Sequence, residues 1–152
     1  MNGAIQSDGD GFIISNNNID SSAVDTGNDS IKVSADSNGV ISGNRIINTG
    51  GNRIGIDLED GSTNNIVDGN WLDVTIGIRL QQNSDGNIIN NNYIDGSTTG
   101  LSIESGATGI TMLGNNCVSA GTDAQAYFAD GHHPADKTEW EKYNFGTITA
   151  LT

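Results

Sequence analysis

At 152 residues the chain is sized for one domain around a single continuous core, which sets aside a two-domain arrangement. Hydrophobic residues make up 34% of it, isoleucine and valine outweigh leucine, and there are 21 glycines but one proline. That balance favours strands and turns and excludes a proline-rich linker. A net charge of -13 disfavours nucleic acid and anionic bilayers as partners, and no apolar run approaches membrane-spanning length.

The amino terminus, MNGAIQSDGD, lacks the basic start and apolar stretch of a signal peptide, and a first coil is already under way at Ile5. From there a pattern recurs: apolar, apolar, small polar, Gly or Asn, Asn, any residue, apolar. In chain order its copies are IISNNNI, VISGNRI, IVDGNWL, IINNNYI and MLGNNCV. Each sets an asparagine two residues before its last apolar position, giving Asn17, Asn44, Asn70, Asn92 and Asn116 at intervals of 22 to 27 residues, within the period range of solenoids. In phase with them, SIKVS, GIDLE, GIRLQ and GLSIE alternate with period two and read as strands. Their inward positions are Ile31 and Val33, Ile56 and Leu58, Ile78 and Leu80, and Leu101 and Ile103. EDGST, NSDG and DGSTTG supply turns.

One such unit cannot bury its own apolar face, whereas units stacked at a strand spacing of about 4.8 Å bury a continuous core. The spacing therefore predicts an all-β parallel β-helix solenoid of about five to six coils over residues 1–128. The asparagines are expected to form a ladder inside a turn, each amide bonding its own coil and the next Asn. After Phe128 the repeat stops, and ADGHHPADKTEWEKYNFG places Pro134 to open a helix with Trp140 and Tyr143 on one face. Residues 129–152 are thus expected to form a helical or irregular cap over the last coil, while residue 1 is expected to abut missing sequence or a partner chain. The single cysteine, Cys117, forms no internal disulfide.

Residues that alternate with the buried ones point outward and form columns about 5 Å from coil to coil. One column contains Asn18, Arg45, Trp71, Tyr93 and Cys117; two positions further come Asp20, Ile47, Asp73, Asp95 and Ser119. Arg45, Trp71 and Tyr93 are the candidate substrate-binding residues, because aromatic rings cover the apolar face of a pyranose while charged groups bond its hydroxyls. Asp73 and Asp95 are the candidate catalytic pair, since carboxylates about 5 to 5.5 Å apart serve as nucleophile and acid in retaining glycosidases. Packing of Trp71 and Tyr93 against a subunit or loop, with the aspartates starting turns, is the competing reading. On the alternating strands Lys32, Asp57 and Arg79 share one column and Glu59 and Glu104 the next. They read as a cross-strand ion ladder, or alternatively as a base, Asp57 or Glu59, with Arg79 neutralising a uronate.

No metal site is assigned. His132 and His133 are adjacent and face opposite ways in extended chain, and no cofactor is expected. Calcium is the one ion left open, through Asp8, Asp10, Asp60 and Asp85 in Gly-containing loops.

The repeats over roughly residues 5 to 128 resemble the right-handed parallel β-helix repeats of the pectate-lyase-like superfamily, which includes polysaccharide lyases, galacturonases, mannuronan epimerases and phage tailspikes. A galacturonase-like Gly-His-Gly and a calcium-binding nonapeptide repeat are both missing, so the resemblance carries the fold and transfers no catalytic residue. It implies a polysaccharide partner and a tailspike-like carbohydrate-binding module, with a homo-oligomer, a trimer, as its assembly and an extracellular, cell-surface or virion location. The alternatives are a polysaccharide lyase, epimerase or glycosidase, and a structural or assembly module without activity. Membrane insertion and nucleic acid binding are not expected.

Overall fold

Strands form wherever the β-branched pattern recurs, and the glycines and asparagines between them set the corners. In the computed structural model, residues 3–7, 9–21, 29–49, 53–95, 98–104, 106–118 and 122–126 are described. The strands come in threes. The first turn has β1 (Gly3–Gln6), β2 (Ile13–Ser15) and β3 (Asn18–Asp20). The second has β4 (Asp29–Val33), β5 (Val40–Ser42) and β6 (Arg45–Asn48), and the third β7 (Ile54–Leu58), β8 (Ile66–Asp68) and β9 (Trp71–Val74). The fourth has β10 (Ile76–Leu80), β11 (Ile88–Asn90) and β12 (Tyr93–Asp95), followed by β13 (Thr99–Ile103), β14 (Thr111–Leu113), β15 (Asn116–Val118) and β16 (Thr122–Ala126).

Each strand pairs in parallel with the strands three before and three after it. This builds three sheets in the orders β1-β4-β7-β10-β13-β16, β14-β11-β8-β5-β2 and β15-β12-β9-β6-β3. The fold is an all-β parallel solenoid in which β1 to β15 stack as five sets of three, about 4 full turns from β1 to β13, and β16 begins the next set. No helix occurs among the described residues, and the cap expected over 129–152 lies outside them.

The inward columns meet along the axis. Ile31, Ile56, Ile78 and Leu101, with Val33, Leu58, Leu80 and Ile103 beside them, come from the first sheet and are buried as the alternation predicts. Ile14, Ile41, Val67 and Ile89 come from the second, and Ile19, Ile46, Leu72, Ile94 and Cys117 from the third. Where the chain enters the first sheet, side chains must be small. A Cβ on Gly77 would lie 2.2 Å from the Gly100 carbonyl oxygen, and one on Gly55 would lie 2.8 Å from that of Gly77.

The corner between the second and third sheets is two residues long in every turn, and its first residue has positive φ: Asn16, Gly43, Gly69, Asn91 and Gly114. Only Gly, or Asn at modest cost, adopts that conformation readily, which explains the Gly-or-Asn position of the repeat. Its second residue is the buried ladder. The Asn17 amide donates to Asn44 Oδ1 at 2.9 Å, Asn44 to Asn70 and Asn70 to Asn92 at 3.0 Å each, and each Nδ2 also reaches a backbone carbonyl.

The fifth rung departs from the sequence reading by one residue. Asn92 donates to Asn115 Oδ1, not to Asn116, so Asn115 is the ladder residue and Asn116 faces outward in register with Tyr93. Cys117 takes the inward position and is 3% exposed, which corrects its placement in the outward column. A pattern keyed to large apolar residues chose Val118 as the inward terminus, whereas the thiol, a small hydrophobe, fills the core there.

A second ladder was not anticipated. The Gly39 N–H donates to Asn65 Oδ1 and the Asn65 N–H to Asn87 Oδ1, both at 2.8 Å, at the corner leading into the second sheet. Its signature is an asparagine directly before the apolar pairs Ile66-Val67 and Ile88-Ile89.

Candidate functional site

Two outer faces bring charged or aromatic side chains together; the second sheet instead presents Ile13, Val40, Ile66 and Ile88 in register.

On the third sheet the outward column is Asn18, Arg45, Trp71, Tyr93 and Asn116, each the register partner of the next. The Arg45 guanidinium carbon lies 4.9 Å from the centre of the Trp71 ring, and its Nη1 donates to Asn18 Oδ1 at 3.1 Å. A cation over an indole face within about 6 Å is attracted by the ring quadrupole. The Trp71 and Tyr93 rings are nearly parallel, at 9°, with centroids 6.2 Å apart, so they are slipped rather than eclipsed. Trp71 thus lies between Arg45 on one neighbouring strand and Tyr93 on the other, and both aromatic residues are half-buried. The neighbouring column is Asp20, Ile47, Asp73, Asp95 and Val118; Ser119 lies outside the described residues. Asp73 and Asp95 are register partners on β9 and β12, and both are half-buried.

On the first sheet Lys32, Asp57, Arg79 and Ser102 form one outward column. The Arg79 guanidinium clasps Asp57 with two bonds, Nε to Oδ1 at 3.0 Å and Nη2 to Oδ2 at 2.6 Å, and Gln81 Nε2 adds a third to Oδ2 at 3.1 Å. Lys32 Nζ lies 2.6 Å from Glu59 Oε1, and Ser34 Oγ donates to Glu59 Oε2 at 2.7 Å. Backbone bonds put Ser34, Glu59, Gln81 and Glu104, each just past the end of a first-sheet strand, in step, so Glu59 and Glu104 do share a column, with Gln81 between them.

Asp29, at the start of β4, joins this group unforeseen; its carboxylate oxygen and those of Asp57 and Glu59 lie within 4.8 Å of one another. Burial, and then the Asp57 charge, push its carboxyl up to about 7, against the opposing pull of Arg79 and Lys32. Burial alone would raise Glu59, but the hydrogen bonds from Lys32 and Ser34 outweigh it and hold the carboxyl below its usual range. The bond to Asp57 raises Arg79, and the bond to Glu59 raises Lys32. The only sequence signal for Asp29 is an acid two residues before an inward isoleucine, which is too common to single out.

The three acids are a donor set of the kind that hard cations take, yet Asp57 and Glu59 already hold cationic partners within the protein. Asp10, Asp60 and Asp85 serve the turns instead, accepting bonds from Ser37 N, Asn83 Nδ2 and Thr108 N of the next rung. Asp8, His132 and His133 lie outside the described residues.

The family model described as "Right handed beta helix region" matches residues 1–122. Comparison with curated proteins and with solved structures returns no significant match.

Proposed function

The chain belongs to the right-handed beta-helix family, and from that premise we propose that it is a carbohydrate-binding β-helix module whose ligand lies along Arg45, Trp71 and Tyr93. The observation that carries this reading is the slipped, half-exposed Trp71–Tyr93 pair with a carboxylate two positions along each of the same strands. The exposed parts of the aromatic pair offer an apolar surface to a sugar, and the neighbouring carboxylates accept bonds from its hydroxyls. The module works at an extracellular, cell or virion surface as a homotrimer, and sedimentation as a monomer at working concentration would remove the trimer from the reading.

Isothermal titration of a panel of soluble glycan oligomers tests the site. At least one oligomer is expected to bind, with Trp71→Ala weakening it roughly tenfold, equivalent to about 1.4 kcal/mol. Equal binding by wild type and Trp71→Ala would remove this column from consideration.

A second reading, a polysaccharide-cleaving or epimerising enzyme, is favoured by one observation: the Asp29 carboxyl is held near 7 beside Asp57, Glu59 and Arg79. A group titrating near working pH is suited to general acid or base duty. Asp73 and Asp95, on strands about 4.8 Å apart, are the other candidate pair. Reducing ends and unsaturated uronates released from a polysaccharide panel decide it, and inactivity on every member ends the enzyme reading.

A further inference from the structure

We infer that the outer face of the second sheet is the surface through which copies of this chain pack against one another; this rests on the self-association proposed above and not on the glycan site. The outward position that opens each second-sheet strand is β-branched. Ile13, Val40, Ile66, Ile88 and Thr111 are successive register partners, and two positions on come Ser15, Ser42, Asp68, Asn90 and Leu113. All three exposed large apolar side chains among the described residues stand in these two columns: Ile13 at 74%, Ile66 at 38% and Leu113 at 44% exposed. A single exposed apolar residue is ordinary, whereas a row of them along one face marks a contact surface.

Charge distribution favours a second copy as the occupant. The first-sheet side carries Lys32, Asp57, Glu59, Arg79 and Glu104, and the third Asp20, Arg45, Asp73 and Asp95, while the two second-sheet columns carry Asp68 alone. Two chains of net charge -13 repel each other, so they approach closely only where few charges must be buried. A basic partner would gain more at the acidic faces. Asp68 stands at the edge of the stripe beside the corner residue Gly69, and its Oδ1 accepts from Asn91 Nδ2 at 2.9 Å. Asp10, Asp60 and Asp85 lie in the turns that lead into this sheet, so an acidic rim borders an apolar centre. With strands about 4.8 Å apart the face measures about 20 Å along the axis and about 10 Å across, less than the roughly 800 Å² each partner gives to a standard interface. One pairwise contact therefore holds weakly. A threefold arrangement about an axis parallel to the solenoid sets each face against two others and closes the stripe from water, with equivalent residues at equal heights.

The test is sedimentation equilibrium of the whole chain over a wide concentration range at low and high salt, on wild type, Ile13→Thr/Ile66→Thr and Asp68→Asn. Threonine keeps the β-branch the strands favour, and circular dichroism confirms that each variant retains its β signal. Wild type is expected to associate more tightly in high salt, because screening relieves the repulsion between acidic chains while the apolar contact remains. Ile13→Thr/Ile66→Thr should move the association midpoint at least tenfold to higher concentration. Asp68→Asn, which removes the charge from the face, should move it to lower concentration, most at low salt. If wild type associates but Ile13→Thr/Ile66→Thr does so equally well, or Asp68→Asn is no tighter at low salt, this face is not the contact, and self-association stands through another. If wild type is a monomer under every condition, the face and the trimer fall together, and the glycan site is untouched.

Discussion

Truncating Asn70 to alanine removes the middle of the buried ladder, and the hydrogen bonds allow the cost to be worked out. Asn70 Oδ1 accepts from both the backbone N–H and the Nδ2 of Asn44, and its own Nδ2 donates to the Ile41 carbonyl and to Asn92 Oδ1, all near 3.0 Å. Asn44 Nδ2 keeps the Ile14 carbonyl and Asn92 Oδ1 keeps the Asn70 N–H, so neither is stranded. The Asn44 N–H is stranded, because Asn70 Oδ1 is its acceptor and the site is buried. An orphaned buried donor costs about 1–3 kcal/mol, and each net bond lost adds about 0.5–1.5 kcal/mol. The expected destabilisation is therefore about 3–5 kcal/mol, a large share of the roughly 5–15 kcal/mol typical of a domain. Asn17 gives the internal comparison: at the end of the ladder its side chain only donates, to Ser15 O and Asn44 Oδ1, and its removal strands no described backbone N–H. Asn17→Ala should cost about 1 kcal/mol. Urea denaturation followed by far-ultraviolet circular dichroism measures both. Equal losses for Asn70→Ala and Asn17→Ala, or a loss below about 1 kcal/mol for Asn70→Ala, would refute the idea that the ladder satisfies otherwise unpaired backbone.

Two further changes probe the first sheet. The Asp29 carboxyl is raised from an ordinary 3.8 to about 7 in the folded chain, so the stability it contributes is complete below about 3.8 and is lost as pH climbs through about 7. At full burial that shift would amount to about 4 kcal/mol; for a half-buried, solvent-screened group about 1–2 kcal/mol is the fair expectation. Asp29→Asn, which cannot ionise, should match wild type near pH 4 and exceed it by that margin above pH 8, and parallel pH-stability curves would show that Asp29 is not so held. Arg79→Ala strands Asp57, whose side chain is 0% exposed, and should cost about 2–4 kcal/mol. Because Gln81 cannot neutralise that charge, the Asp57→Ala/Arg79→Ala double variant should recover part of the loss, and strictly additive losses in the double-mutant cycle would mean the pair is not coupled.

The repeat was legible because a solenoid imposes one environment on the same position of every turn. Five copies of an apolar pair, a Gly or Asn, and an Asn announced the strands and a ladder of asparagines at a turn, and the alternating segments placed Ile31 to Ile103 inside correctly. Outward neighbours followed from the same register, so Arg45, Trp71 and Tyr93, and likewise Lys32, Asp57 and Arg79, were adjacent as read. Register failed where a small residue did the work of a large one: Cys117 in the core displaced the ladder from Asn116 to Asn115, and no count of bulky apolar residues could detect it.

Sequence by itself therefore determined the period, the strand faces and most of the ladder, since these depend on residue type at fixed spacing along the chain. Tertiary structure alone decided that Arg45 and Tyr93 flank Trp71, that Asp29 reaches the carboxylates of Asp57 and Glu59, and which amide each asparagine meets. Those outcomes depend on ring tilt, side-chain reach and local burial, which act between turns more than twenty residues apart in the chain and leave no mark on the order of residues within any one of them.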